Sequence, residues 1–251
     1  MAILLLKKSY HHKDLKEVKF NDLWNGYGIF TTMRVIGRSA KILFYKAHID
    51  NLVKSLNKYN IHNKNLRENI TKLIKLNLKK NKKYDHLLRV ASNNKIISIS
   101  LRKRPISKSN FKLKLVNYKR VDAIYKNLKY KKILKILSKL DVTKFDIALY
   151  KKNRILETGT SNLLFVKNNK IFSPNKDCYK GSTIKFFNKK VKIKFINIFV
   201  KDINNFDEIL VVGSGKGVVS VSSFDNNLWK RKNLKVFNKL LKIYKSETKN
   251  N

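Results

Sequence analysis

The chain has very little cysteine. One residue, Cys178, stands in 251. A single thiol excludes an intrachain disulfide and any zinc site built from cysteines. Long apolar runs are missing too, since no stretch approaches the roughly 18 residues that a membrane span requires. The apolar run in the opening MAILLLKKSYHHK is too short for a signal peptide, so the expected location is the cytoplasm. Acids are scarce as well: 16 Asp and Glu face 58 Lys and Arg, a formal net charge of +42. Such a balance admits a polyanion binder, and a basic nucleic-acid-binding protein is a distant alternative. The lysines, however, are spread through loops such as IHNKNLREN and along exposed helix faces. They are not gathered into one arm or one aromatic-interleaved stripe, which reads as compositional drift. A field this positive still draws anionic small substrates.

What is present is the material of two cores. Hydrophobic residues make up 43% and aromatics 11%, outside the range of disordered chains. IFTTMRV (29–35) alternates and is rich in β-branched residues, which predicts a strand. KILFY (41–45) reads as its partner across a turn at Gly37, Arg38 and Ser39. The apolar spacing in 47–59 and 66–80 predicts two helices. HLLRVAS, KIISISLRK and FKLKLVNY read as three strands. In the second half, 125–140 predicts a helix, FDIALY and RILE two strands, and NLLFVKNNKIFSP a hairpin. KGSTIKFFNKKV opens a helix, KIKFINIFV reads as a strand, and DEILVVGSGKGVVSVSSF as a long strand broken by glycines. A last amphipathic helix follows. The expectation is an α+β chain of two domains, 1–118 and 127–251, joined by residues 119–126.

Three features of the second half carry chemistry. Lys126 and Lys129 precede a helix. Glu157 ends an apolar strand and is followed by Thr158, Gly159, Thr160, Ser161 and Asn162. A carboxylate so placed is either exposed at a turn or requires a cationic partner. Two anion-friendly sites complete the set. Gly181, Ser182 and Thr183 stand at a helix start, where free N–H groups and the helix dipole favour an anion. GSGKG (213–217) can form a nest of amides with help from the Ser214 hydroxyl. A lysine amine, an acid and a phosphate cradle are together what pyridoxal 5′-phosphate (PLP) requires.

The pieces GYGIFTTMRV, AHIDNLVKSL, YKNLKY, RILETGTSNLLFV, KGSTI and DEILVVGSGKGVVSV stand in one order over nearly the whole chain. That order resembles the class IV PLP enzymes: branched-chain aminotransferases, D-amino acid aminotransferases and aminodeoxychorismate lyases. The resemblance implies their two-domain α+β fold and a homodimer. It implies that Glu157 contacts the pyridine nitrogen and that a lysine forms the Schiff base. KNLKY fits the family's Lys-x-Leu-x-Tyr with Lys126, Leu128 and Tyr130, while Lys129 is the rival. The 31 positions from Lys126 to Glu157 suit the family better. Tyr130 is placed either on the cofactor's phenolic oxygen or in helix packing. Ser182, Thr183, Ser214 and Gly215 would hold the phosphate. In HIDNL the family's usual arginine is replaced by Asn51, which brings no charge; Lys54 or Lys216 is the candidate replacement, and His48 reads as structural. FTTMRV is similar to the lyase form of the first motif, whereas many aminotransferases carry an acid at the first Thr. On that basis Thr31 and Arg34 are expected at the active-site mouth. The leading expectation is an aminodeoxychorismate lyase, which releases pyruvate and para-aminobenzoate for folate synthesis. Branched-chain or D-amino acid transamination is the alternative.

Overall fold

The protein is described by a computed structural model that covers residues 3–79, 81–224 and 228–249. The chain divides into two compact units, and the division is not a single cut. Residues 1–104 and 125–132 form the first unit, 105–124 and 133–251 the second.

The first unit holds β1 (Leu4–His11), β2 (Glu17–Val18), β3 (Ile29–Gly37), β4 (Lys41–Ile42), α1 (Tyr45–Lys58), α2 (Leu66–Asn77), β5 (Tyr84–Ser92) and β6 (Ile96–Lys103). The strands form one sheet in the order β2-β1-β6-β5-β3-β4. The alternation of IFTTMRV sorts its side chains between the two faces of that sheet. Ile29, Met33 and Val35 pack with Ile49, Leu52 and Leu56 of α1 and Ile70 of α2. Each of these apolar side chains, 0–1% exposed, contributes roughly 1.5–3 kcal/mol by leaving water. β4 is shorter than KILFY suggests. Phe44 takes a left-handed conformation (φ 55°) and α1 begins at Tyr45, so only Lys41 and Ile42 pair with β3. The helix expected over 66–80 ends at Asn77, and Lys80 lies outside the described residues. β1 has no counterpart among the predicted strands; LLLKKSYH pairs with β6 along nearly its whole length.

The second unit contains two five-stranded sheets. Its strands are β7 (Lys112–Asn117), β8 (Phe145–Lys151), β9 (Arg154–Thr158), β10 (Asn162–Lys167), β11 (Lys170–Pro174), β12 (Ile193–Ile196), β13 (Ile198–Phe199), β14 (Glu208–Gly213), β15 (Gly217–Ser220) and β16 (Ser223–Phe224). One sheet runs β12-β11-β10-β14-β15, the other β13-β9-β8-β7-β16. α4 (Ser182–Lys190) and α5 (Lys235–Lys249) belong to this unit, and α3 (Lys131–Leu137) carries the chain into it. The core gathers Phe111, Phe165, Ile209, Val211, Phe224 and Trp229.

Three further elements differ from the sequence expectation. β7 falls within residues 1–118, yet it pairs in parallel with β8 from Lys112↔Phe145 to Asn117↔Tyr150 and lies in the second compact unit. The helix expected over 125–140 is only Lys131–Leu137. Residues 126–128 are extended because the start of β3 takes their backbone groups: Phe30 N–H donates to Lys126 O, Leu128 N–H donates to Gly28 O, and Ile29 bridges Asn127. Finally, KIKFINIFV splits at Asn197, with β12 in one sheet and β13 in the other.

Candidate active site

Glu157 lies on β9 opposite Leu149 of β8 and is 5% exposed. A carboxylate buried among apolar strand residues requires a counter-charge, and Arg120 supplies it. Arg120 Nε donates to Glu157 Oε1 across 2.7 Å, and Arg120 Nη2 donates to Ala123 O across 2.7 Å. The backbone N–H of Tyr179 donates to the second carboxylate oxygen, 3.2 Å away. The acid is therefore held at both oxygens and fixed in direction. Arg120 was not singled out from sequence, because one basic residue among 58 carries no signal.

The small hydroxylated residues after Glu157 build a turn anchored on Asp146 of β8. Thr158 Oγ1 and Thr160 Oγ1 donate to Asp146 Oδ2 across 3.1 and 2.6 Å. The N–H groups of Thr160 and Ser161 in turn donate to Thr158 Oγ1. Gly159 is needed for close approach, since a Cβ there would stand 2.8 Å from Ile147 Cγ1 and 3.0 Å from Asp146 Oδ1. Burial pushes the Asp146 carboxyl up from its ordinary value, while Lys216 and the hydroxyl donors oppose the shift. Asn162 closes the stretch: its side chain donates to Tyr179 O and accepts from Gly181 N–H, so it clamps the loop that leads into α4.

At the start of α4, Ser182 and Thr183 are 4% and 2% exposed. Among the described residues, neither Ser182 Oγ nor Thr183 Oγ1 has a hydrogen-bond partner. Gly181 caps the helix without a side-chain bond. Two orphaned hydroxyls beside the positive end of a helix dipole fit an anion such as a phosphate. GSGKG is a tight hairpin turn between β14 and β15, with Gly213 paired to Gly217. Ser214 and Gly215 sit at its tip, half-buried. Gly213 leaves room for Ser161, whose Oγ would stand 2.5 Å from a Cβ there. Lys216 is committed elsewhere: Nζ donates to Val142 O across 2.7 Å and lies over the Phe111 ring.

The remaining predicted residues belong to the first unit. Lys126 is half-buried, with Nζ 5.2 Å from the Phe30 ring centre, whereas Lys129 is exposed. Tyr130 is buried and packs on Phe30 and Trp24. Thr31 and Arg34, three positions apart on a strand, point to opposite faces of the sheet and so do not line one mouth together. Thr31 faces α1, where Oγ1 lies 2.7 Å from His48 Nδ1. Burial, and next the Lys126 charge, lower His48 to about 3. His48 is thus a neutral partner in the core. Arg34 Nε donates to Asp85 Oδ1 across 2.9 Å, and Asp85 also accepts both prongs of Arg104. Asn51 is half-buried on α1 and Lys54 is exposed.

These features can be set beside known proteins. Residues 28–224 match the family model of amino-transferase class IV. The chain belongs to that family and is an enzyme of it. A candidate 4-amino-4-deoxychorismate lyase from Legionella pneumophila shares 20% identity at a TM-score of 0.73, with 94% of this chain and 97% of that one covered. The branched-chain amino acid aminotransferase of Escherichia coli, at 12% identity, superposes with a TM-score of 0.78 over 96% of this chain and 93% of that one. An aminotransferase from Brucella abortus, solved with PLP bound, shares 16% identity at 0.75 over 96% and 98%. A search of the curated proteins finds no match. At such identities the likeness speaks for the fold, which is α+β as expected.

Proposed function

We propose that the protein is a PLP-dependent aminodeoxychorismate lyase, a cytoplasmic homodimer that acts on an anionic small molecule. The observation that carries the cofactor reading is the pair of orphaned hydroxyls at the start of α4, in the same unit as the clamped Glu157. When bound, PLP supplies an aldehyde that captures an amino group and a ring that accepts electrons. Ser182, Thr183 and the amides of the α4 start would hold its phosphate, with Ser214 and Gly215 as further donors. Glu157, ion-paired with Arg120, would hold a proton on the ring nitrogen. Lys126 would supply the amine for the aldehyde. Its half-buried place against Phe30 supports this over the exposed Lys129. The same amine would take the proton from the carbon that bears the substrate's amino group. The neighbouring carbon–oxygen bond would then break, and the enolpyruvate released would take up that proton to become pyruvate.

Lyase chemistry is favoured over transamination by Thr31. Many aminotransferases of the family place an acid here, whereas Thr31 and the neutral His48 form an uncharged couple close to Lys126. The test supplies purified protein with PLP and 4-amino-4-deoxychorismate, and separately with glutamate and a branched-chain keto acid. Release of pyruvate and para-aminobenzoate in the first mixture is expected. Amino exchange in the second mixture alone would replace this reading with the transaminase.

A further inference from the structure

Asp146 lies within β8, 1% exposed, opposite Leu113 of β7. Among the described residues, it makes no hydrogen bond to any residue assigned to the cofactor. Its carboxylate serves the turn that follows Glu157: Oδ1 accepts from Ile147 N–H across 2.8 Å, and Oδ2 accepts the hydroxyls of Thr158 and Thr160. Thr158 Oγ1 receives the N–H groups of Thr160 and Ser161, which occupy both its lone pairs. Its own hydrogen is therefore free only to donate, and an acceptor is required beside it. Asp146 Oδ2 and Ser161 O, each 3.1 Å away, share that hydrogen. The turn closes further through Thr158 N–H to Ser161 O and Gly159 N–H to Ile147 O, each across 2.9 Å. Burial disfavours the charge that this arrangement uses, and Lys216 of the GSGKG turn favours it.

The turn so fixed meets both anion-friendly sites of the second unit. Ser161 fills the space beside Gly213, where the GSGKG turn begins. Asn162, paired with Val212 of β14, fastens Tyr179 O and Gly181 N–H, and Ser182 and Thr183 follow directly. Glu157, by contrast, has its own clamp in Arg120. We infer that Asp146 is a positioning residue for the phosphate cradle: acting through the turn at 158–162, it fixes the α4 start against the GSGKG turn and so governs affinity for phosphate without touching it. The inference rests on the PLP reading of the site. It separates the two ends of that site, since loss of Asp146 disturbs the phosphate end and leaves the ring end to Arg120 and Glu157. An amide at this position offers one acceptor oxygen where the turn uses two.

The experiment titrates the purified protein with PLP and with pyridoxal, which has the same ring and aldehyde but no phosphate, following absorbance. The parent should bind PLP far more tightly than pyridoxal. Asp146→Asn should weaken PLP binding at least tenfold and leave pyridoxal within about twofold, so the preference collapses. Thr160→Val, which removes one donor at an exposed residue, should lose part of the preference, and Thr160→Ser, which keeps the hydroxyl, should retain it. Inorganic phosphate alone should raise the melting temperature of the parent and not that of Asp146→Asn. Equal loss of PLP and pyridoxal affinity, or an unchanged preference in Asp146→Asn and Thr160→Val, overturns the positioning role. Should Asp146→Asn fail to fold, the Thr160 pair decides. A parent without preference for PLP over pyridoxal would instead sink the cofactor reading, and this inference with it.

Discussion

Arg120 and Glu157 form an ion pair in which both residues are at most 5% exposed, with a nitrogen–oxygen distance of 2.7 Å. The pair ties the segment before residue 124 to β9 and answers why an acid can end an apolar strand.

Removing one partner strands the other. Arg120→Met should lower the stability of the protein by about 3–5 kcal/mol, because Glu157 loses its buried counter-charge. The double variant Arg120→Met, Glu157→Leu should recover most of that loss. Urea unfolding of the parent and both variants checks this. A single variant within 1 kcal/mol of the parent, by the same scale, would show the pair to be dispensable.

The hydroxyls of Ser182 and Thr183 should act in opposite directions on stability and on affinity. Burying a hydroxyl without an acceptor costs about 1–3 kcal/mol. Thr183→Val and Ser182→Ala should therefore melt at or above the parent temperature without cofactor. Both should bind PLP at least tenfold more weakly, read from absorbance titrations. Lower melting with unchanged affinity would assign the hydroxyls to the fold alone.

His48 makes the first unit acid-sensitive. Its folded value, about 3, lies below the ordinary 6.5, so the unfolded chain binds the extra proton first. Stability from this group is fully present above pH 6.5 and is lost as the pH falls towards 3, at up to ~1.4 kcal/mol per unit. His48→Gln should flatten the fall in urea midpoint between pH 6.5 and 4 relative to the parent. Parallel curves for the two proteins would refute this assignment.

Lysine substitution separates the two candidate amines. With PLP added, Lys126→Ala should show no protein-linked absorbance band, and borohydride should fix no cofactor to it. Lys129→Ala should behave as the parent, since its side chain is exposed. A band lost only in Lys129→Ala would shift the register of the motif by three residues.

Much of the fold was legible because periodicity reports local burial. The alternation of 29–35 and the apolar spacing in α1, α2 and α5 became a strand and helices close to their expected bounds. What was not legible depended on distant pairing. LLLKKSYH does not alternate, and only its ladder with β6 makes it a strand. FKLKLVNY looked like the last strand of one domain and is paired in the other. Residues 125–130 have helical spacing, but the start of β3 takes their backbone groups first. In the site, Glu157, Ser182 and Thr183 could be named from residue type and order. Arg120, Asp146 and Asn162 could not, because their roles arise from long-range contacts.

The return of residues 125–132 to the first unit has a consequence for synthesis. The ribosome releases the whole of β7 before the segment that covers Gly28 and Ile29 exists. The amino-terminal half therefore waits, with one flank open, until translation has passed residue 132. Expression of residues 1–104 alone should yield a chain that aggregates, and supplying 125–132 as a separate peptide should restore a protease-resistant product.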